Sequence, residues 1–213
     1  MKMYYGADKI IKKPVYGLGN PSNDYGLGFY LTPSKEAAFL WASRYDAGYV
    51  MTYELDLNSQ RVLELNHVEE ESVLRWIALL ASHRFDKEER LIYNQELEWL
   101  ILKFGVDVSH YDVVIGYRAD DSYFAYSSGF VRGEISIETL SQAMKLGKLG
   151  LQVVLMSPQA FESLSFVSSE EAIQNDSYRL FRSRTLEEYH QLKKEEDPFS
   201  HHFIRDLMRK YGK

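Results

Sequence analysis

The chain has 213 residues, of which 45% are apolar, 26% charged and 14% aromatic, and it contains no cysteine. These figures exclude a disordered chain and predict one globular domain, with or without a short appendage. The lack of cysteine excludes disulfides, thiol catalysis and cysteine-ligated zinc. No apolar signal region opens the sequence and no run of about 18 apolar residues follows, so we expect a soluble cytoplasmic protein without membrane contact.

The charge distribution bears on the class of partner. The net charge of −6 argues against a domain whose affinity comes mainly from neutralising nucleic acid phosphates. Residues 179–213 carry nine Lys or Arg against six Asp or Glu, a net +3, so the rest of the chain carries −9. The sequence therefore predicts a mildly basic tail after an acidic body.

The first part of the chain predicts strand, loop, strand and helix. Residues 3–7 and 26–31 are short apolar and aromatic stretches typical of strands. The segment between them is rich in proline and glycine, and because long loops are often functional we expect residues 12–25 to act as a donor loop or lid. Thr32 and Pro33 match the N-cap and the first position of a helix. Its apolar stripe is Ala38, Trp41, Ala42 and Tyr45.

The middle of the chain predicts two strands, a pair of helices and a buried strand. Residues 51–57 alternate apolar with polar side chains, as in a strand with one exposed face, and residues 61–65 predict a second strand. The helices have apolar stripes at Leu74, Ile77, Ala78 and Ala81 and at Leu97, Leu100, Ile101 and Phe104. Residues 112–117 are continuously apolar after Asp112, which is typical of a strand covered on both faces.

The last part of the chain predicts a helix capped by Ser136, a buried strand over residues 151–156 and two further helices. Thr185 to Glu188 match a capping box, which predicts a helix beginning at Thr185. The final helical stripe is Phe203, Ile204, Leu207, Met208 and Tyr211. The alternation of strands and helices predicts an α+β fold.

The glycine-rich stretch over residues 25–32 is the first candidate motif. It lacks the third glycine and the βαβ context of a dinucleotide-binding fingerprint, and by itself it indicates a tight bend. Further segments are informative in combination: residues 4–6, 26–32, 37–41, 111–121, 133–136, 151–154 and 164–166. This ordered string resembles the ADP-ribosyltransferase superfamily, and within it a bacterial branch of small proteins encoded near possible antitoxins.

The resemblance implies an α+β fold in which two facing β-sheets, flanked by helices, hold NAD in a cleft. It makes residues 1–169 an ADP-ribosyltransferase-like domain. Residues 170–213 are then a C-terminal helical extension, packed on the domain or trailing it.

The implied chemistry breaks the bond between nicotinamide and ribose, which builds positive charge on the ribose. By the resemblance, the backbone of Gly6 holds the carboxamide, Tyr30 stacks on the ring and Gln152 contacts the ribose 2′-hydroxyl. Tyr5 stands where many relatives carry His, and Gln152 stands where Glu is usual. The implied NAD contacts are Tyr5, Gly6, Gly28, Tyr30, Thr32, Arg118 and Gln152.

Several charged residues allow two interpretations. Asp120 and Asp121 follow a buried strand, so they are candidates for a catalytic charge or base, and equally for the cap of a following helix. Arg118 and Arg132 are candidates for the NAD pyrophosphate or for surface ion pairs. No histidine pair has the spacing of a zinc protease, so we expect no metal.

The sequence as a whole predicts an NAD-dependent ADP-ribosyltransferase-like enzyme with an RNA, DNA or protein acceptor. The resemblance implies an intracellular bacterial toxin or defence effector controlled by an antitoxin. A catalytically weak or inactive member that binds NAD, another nucleotide or a protein partner is the alternative. NAD hydrolysis, in which water replaces the acceptor, is the third possibility.

Overall fold

The structure is a computed structural model that describes residues 1–119, 123–145, 150–199 and 202–212. In these ranges the chain has the α+β class that the sequence predicts. The strands are β1 (Lys2–Ala7), β2 (Phe29–Leu31), β3 (Gly48–Leu55), β4 (Val62–Leu65), β5 (Val113–Tyr117), β6 (Leu151–Leu155) and β7 (Leu164–Ala172). The helices are α1 (Lys35–Ala42), α2 (Glu70–His83), α3 (Lys87–Ile92), α4 (Asn94–Phe104), α5 (Phe124–Val131), α6 (Ile137–Lys145), α7 (Pro158–Glu162), α8 (Ser177–Glu195) and α9 (Ile204–Tyr211).

The strands form two sheets. The first has the order β1-β3-β7 and is antiparallel, and the second has the order β2-β6-β5-β4 with β4 and β5 parallel. Parallel neighbours need a crossover connection, and the chain through α2, α3 and α4 supplies it. The sheets are linked by a bridge between Tyr4 and Thr32, whose backbone groups exchange hydrogen bonds of 2.8 and 3.0 Å.

Apolar side chains divide the molecule into layers. One cluster joins the two sheets and contains Met3, Phe29, Leu31, Met51, Tyr53, Leu55, Val113, Val153, Leu155 and Ala160. On the outer face of the first sheet, Ala38 and Ala42 of α1 pack against Val50. On the outer face of the second sheet, α2, α4, α5, α6, α8 and α9 share a larger core with Val114 and Val154. This layering places α1 beside β1, the edge strand of the first sheet.

Three element boundaries predicted for β2, α1 and β3 are wrong. β2 begins at Phe29 because the chain turns at Gly26, whose φ is +79°. The N-cap of α1 is Ser34, which accepts a hydrogen bond of 3.1 Å from the Ala37 N–H, because Thr32 is engaged in the bridge to Tyr4. β3 spans Gly48–Leu55, and Thr52 is buried rather than exposed because it shares the face of β3 that α1 covers.

The helix start predicted at Thr185 is also wrong. α8 begins at Ser177 and continues through Thr185, whose hydroxyl donates to the Phe181 carbonyl at 3.0 Å. Tyr189 lies one turn further along and is buried beside Tyr126. A continuous helix therefore satisfies the threonine hydroxyl internally and places an apolar stripe on the core.

The tail packs on the rest of the chain. β7 crosses the boundary placed at residue 169, and Tyr189, Ile204, Leu207 and Met208 are part of the larger core. The division into a domain and an extension stays a prediction. Over the described ranges, no helix combines the length and apolar character needed to span a membrane.

Asp112 joins the starts of three elements. The residue is 2% exposed. Its carboxylate accepts hydrogen bonds from the Arg61 backbone (3.0 Å), the Arg61 guanidinium (2.9 and 3.1 Å) and the Ser157 hydroxyl (2.7 Å). Arg61 directly precedes β4, Asp112 precedes β5 and Ser157 caps α7. The hydrogen bonds from the Arg61 side chain are the main reason why the pKa of Asp112 lies well below its ordinary value.

This depressed pKa predicts a pH-dependent contribution to stability. Ionised Asp112 stabilises the fold above its unfolded pKa of about 3.9, and the contribution is lost as the pH falls through the lower folded value. Asp112→Asn should therefore lower the melting temperature most near neutral pH and progressively less below about pH 4. Thermal unfolding followed by circular dichroism measures this, with the exposed Asp46→Asn as a control. A deficit for Asp112→Asn that does not change with pH would contradict the assignment.

Candidate functional site

A cleft of about 970 Å³ opens beside the bridge between Tyr4 and Thr32. Its walls come from β1, the loop over residues 8–28, β2 and α1, with side chains from the ends of α2, β5 and β6. A cleft of this size is typical of a site for a small-molecule ligand.

The cleft brings together the residues that the resemblance implies for NAD. Tyr5, Gly6, Gly28, Tyr30, Thr32, Arg118 and Gln152 all line it. Asp120 and Asp121 lie outside the described residues. Arg132 is not among the described lining residues. It forms an ion pair with Glu89 at 2.8 Å, which agrees with the surface ion-pair interpretation.

The free edge of β1 faces the cleft at Gly6. Tyr4 directs its N–H and C=O away from β3 and toward Thr32. In an antiparallel ladder this direction repeats at every second residue, so Gly6 presents its N–H and C=O on the same edge. Since Gly6 lines the cleft, these two groups offer a paired donor and acceptor that match an amide.

Tyr30 connects β2 to the loop. Its hydroxyl donates to the Gly26 carbonyl at 2.7 Å and accepts from the Tyr25 N–H at 2.9 Å. Burial raises the pKa of Tyr30 well above its ordinary value, so the phenol stays neutral. The half-buried ring is therefore a flat wall of the cleft that also holds the end of the loop in place.

Tyr5 lies across the cleft on β1. Its ring packs against Phe29 with a centroid separation of 4.6 Å. Burial is the main cause that raises its pKa, so the phenol stays neutral and keeps one donor and one acceptor.

The loop ends in a buried anchor. Tyr25 is fully buried, and its hydroxyl donates to the Tyr117 carbonyl at 2.5 Å and accepts from the Trp76 indole at 3.0 Å. Gly116 leaves room for this hydroxyl, since a Cβ there would lie 2.3 Å from the Tyr25 oxygen. The anchor fixes the preceding residue, Asp24, at the base of the cleft.

Asp24 is the site residue that the sequence analysis missed. The residue is 5% exposed, and one oxygen of its carboxylate accepts hydrogen bonds from the Ala119 N–H at 2.8 Å and from Gln152 Nε2 at 3.0 Å. The other oxygen lies 3.5 Å from Arg84 Nε. The available signal was an acidic residue directly before the glycine-rich motif, but an acidic residue in a loop gives no pattern that predicts burial.

Gln152 sits on β6 beside Asp24. It is 6% exposed, and its Nε2 donates both to Asp24 and, at 3.2 Å, to the Tyr117 carbonyl. Each amide hydrogen therefore has an acceptor.

The rest of the lining is rich in basic and aromatic side chains. The described basic side chains are Lys9, Lys13, Arg44, Arg84 and Arg118, and among the described lining residues Asp24 alone is acidic. The guanidinium carbons of Arg44 and Arg118 lie 4.4 and 5.4 Å from the Trp41 ring centroid. In a chain of net charge −6, this concentration of positive charge favours an anionic ligand, and the aromatic surfaces favour one with planar rings. The described residues contain no group of three or more His, Asp or Glu suited to a metal ion.

Fold and site together define an α+β protein with a cationic, aromatic-lined cleft beside the link between two sheets. The family model described as "protein of unknown function (DUF3990)" matches residues 1–166, and the chain belongs to that family. The matched region includes every described residue that lines the cleft. Comparisons with curated proteins and with solved structures found no match.

Proposed function

We propose that this protein is an NAD-dependent ADP-ribosyltransferase-like enzyme that transfers ADP-ribose to a macromolecular acceptor, either a nucleic acid or a protein. The observation that carries the proposal is the convergence of Gly6, Tyr30 and Gln152, from three strands distant in sequence, on one cationic cleft. The resemblance found in the sequence assigns these same three residues to NAD.

The reaction sets the demands on the site. The bond between C1′ of the ribose and the nicotinamide nitrogen breaks, and its electron pair leaves with nicotinamide, which departs neutral. C1′ carries the positive charge until an acceptor oxygen or nitrogen supplies a lone pair and releases its proton to water. A site that accelerates this reaction must hold the nicotinamide, bind the phosphates and stabilise the cation.

The cleft offers groups of suitable chemistry for binding the nicotinamide, the phosphates and the ribose. The edge N–H and C=O of Gly6 match the donor and acceptor of a carboxamide, and the Tyr30 ring offers a surface for the pyridinium. Arg44 and Arg118 suit the pyrophosphate because one guanidinium group can donate two parallel hydrogen bonds to phosphate oxygens. Gln152 supplies a hydrogen-bonding group for a ribose hydroxyl.

The remaining predicted contacts line the same cleft and belong to the proposal. Tyr5 would bond the ribose through a neutral hydroxyl, in place of the histidine that many relatives carry. Gly28 and Thr32 flank β2 and would contact NAD along that strand. The loop over residues 12–25 would act as the lid.

A second candidate function is NAD binding without transfer. The observation that favours it is the neutral Gln152, which brings no charge of its own to the ribose, where the superfamily usually has Glu. A third candidate, NAD hydrolysis, differs only in that water is the acceptor. The resemblance also leads us to propose an intracellular toxin or defence effector restrained by an antitoxin.

Release of nicotinamide from NAD by the purified protein tests these candidates. It should be measured alone and with total RNA, DNA or cell lysate, using wild type, Gln152→Ala and, as a matched surface control, Gln174→Ala. We expect release by the wild type and by Gln174→Ala, and a loss of at least about 100-fold for Gln152→Ala. The additive that stimulates release identifies the acceptor class, and release without any additive indicates hydrolysis. NAD binding without release in any mixture would leave the binding-only function, and neither binding nor release would exclude NAD.

A further inference from the structure

We propose that Asp24 and Gln152 form one functional unit, in which the buried Asp24 carboxylate orients and polarises the Gln152 amide toward the NAD ribose. The unit supplies the negative character that a glutamine alone lacks. This inference rests on the proposed function and assigns Asp24 as a positioning residue that acts through Gln152.

The surroundings of Gln152 determine which way its amide points. Nε2 lies 3.0 Å from the Asp24 carboxylate and 3.2 Å from the Tyr117 carbonyl, and both of these oxygens are acceptors. A flipped amide would place Oε1 against two acceptors and lose both hydrogen bonds. Oε1 is therefore the end of the amide left to accept a hydrogen bond from a ribose hydroxyl.

The surroundings of Asp24 favour a fixed negative charge. The Ala119 N–H, Gln152 Nε2 and Arg84 Nε face the carboxylate, and all three are donors, the partners that an ionised carboxylate accepts. The neighbouring Tyr25 anchor and the Tyr30 hydroxyl hold this part of the loop on the sheets. Asp24 therefore keeps its position relative to β6 without depending on a ligand.

The charge of Asp24 changes what Gln152 can do. A hydrogen bond from an amide N–H to a carboxylate is charge-assisted, and in a buried site it draws electron density through the amide toward Oε1. An acceptor polarised in this way stabilises positive charge on the ribose more than a free glutamine does. Asp24 and Gln152 together would then act as the glutamate acts in other members of the superfamily.

This arrangement predicts that adding a second carboxylate harms the site. Gln152→Glu places two carboxylates about 3 Å apart, where repulsion and the loss of the amide donor disturb both groups. Asp24→Asn with Gln152→Glu exchanges the two groups, so that an amide on the loop faces a carboxylate on β6. The exchange restores a donor, an acceptor and a single charge.

The test measures kcat and KM for nicotinamide release by wild type, Asp24→Asn, Gln152→Glu and the double variant. Each single variant should lose about 100-fold in kcat with little change in KM, because the interaction strengthens in the transition state. The double variant should recover at least about tenfold over Gln152→Glu, as coupled residues do. The surface pair of Asp46 and Gln174, joined by a hydrogen bond of 2.7 Å, is the matched control, and its exchanged variant should keep the wild-type kcat.

The outcomes separate this inference from the proposed function. A purely structural role predicts that Asp24→Asn stays near the wild type, since asparagine can still accept from the Ala119 N–H, and that result would overturn the inference. Losses that simply multiply in the double variant would also overturn it. Wild-type protein that neither binds NAD nor releases nicotinamide would refute the proposed function before any variant is compared. The melting temperatures of the four proteins provide a readout without NAD, and they should also show non-additive coupling.

Discussion

Tyr30→Ala should lower kcat/KM for nicotinamide release by about 1000-fold, one of the two largest effects we expect from a single substitution. In the function that we propose, the ring is the wall of the cleft that contacts the pyridinium. Its hydroxyl holds Gly26 and Tyr25 at the end of the loop. Alanine removes both contributions at once. Steady-state kinetics and calorimetric titration with NAD measure the losses in turnover and in binding.

Tyr30→Phe separates the two contributions of this side chain. Phenylalanine keeps the ring and removes the hydrogen bonds to the loop, so we expect a loss of about tenfold. The loosened loop should also be cut faster by trypsin after Lys12. Tyr211→Phe, which removes a tyrosine hydroxyl bonded to Glu70 away from the cleft, should match the wild type. Wild-type turnover by Tyr30→Ala would remove Tyr30 from the site.

Local patterns predicted much of the framework around this site. Runs of apolar and β-branched residues indicated β5 and β6, because both strands are covered on both faces and need continuous apolar sequence. Period-two patterns located β3. The resemblance assigned Tyr30 and Gln152 to one NAD cleft, and both line the cleft. These features depend mainly on near neighbours in sequence, which is why the sequence carries them.

The features that could not be predicted depend on distant contacts. Asp24 is buried because Ala119 and Gln152, 95 and 128 residues away, supply its donors. The cap of α1 moves from Thr32 to Ser34 because Tyr4 competes for the Thr32 backbone. In each case, a contact with a residue distant in sequence overrides the preference of the local sequence.

The positive cleft shows that the net charge of a whole chain does not predict the charge of a local site. The net charge of −6 argues against a broad electrostatic affinity for nucleic acid, and that argument concerns the whole surface. Folding gathers Lys9, Lys13, Arg44 and Arg118 along one cleft, where low-dielectric walls concentrate their field. A protein that is acidic overall can therefore present a local site for an anionic ligand.

Gly6→Ala should lower both stability and activity, because β1 and α1 approach each other at Gly6 without room for a side chain. A Cβ at this position would lie 2.2 Å from the Ala38 carbonyl oxygen and 3.0 Å from the Ala42 nitrogen, both backbone atoms of α1. Relief of this overlap requires a shift of α1 or β1, at a cost of about 3 kcal/mol in the free energy of unfolding.

The same shift would reach the cleft, since α1 carries Trp41 and the edge of β1 carries the groups offered to the carboxamide. Chemical denaturation measures the stability and calorimetric titration the affinity for NAD. Gly133→Ala is the control outside the cleft, because its added Cβ meets nothing within 4 Å and only its left-handed backbone, φ +69°, costs about 1 kcal/mol. If the denaturation midpoint of Gly6→Ala equals that of the wild type, α1 can shift at this contact without loss of stability. NAD affinity lost at unchanged stability would instead assign Gly6 to the ligand alone.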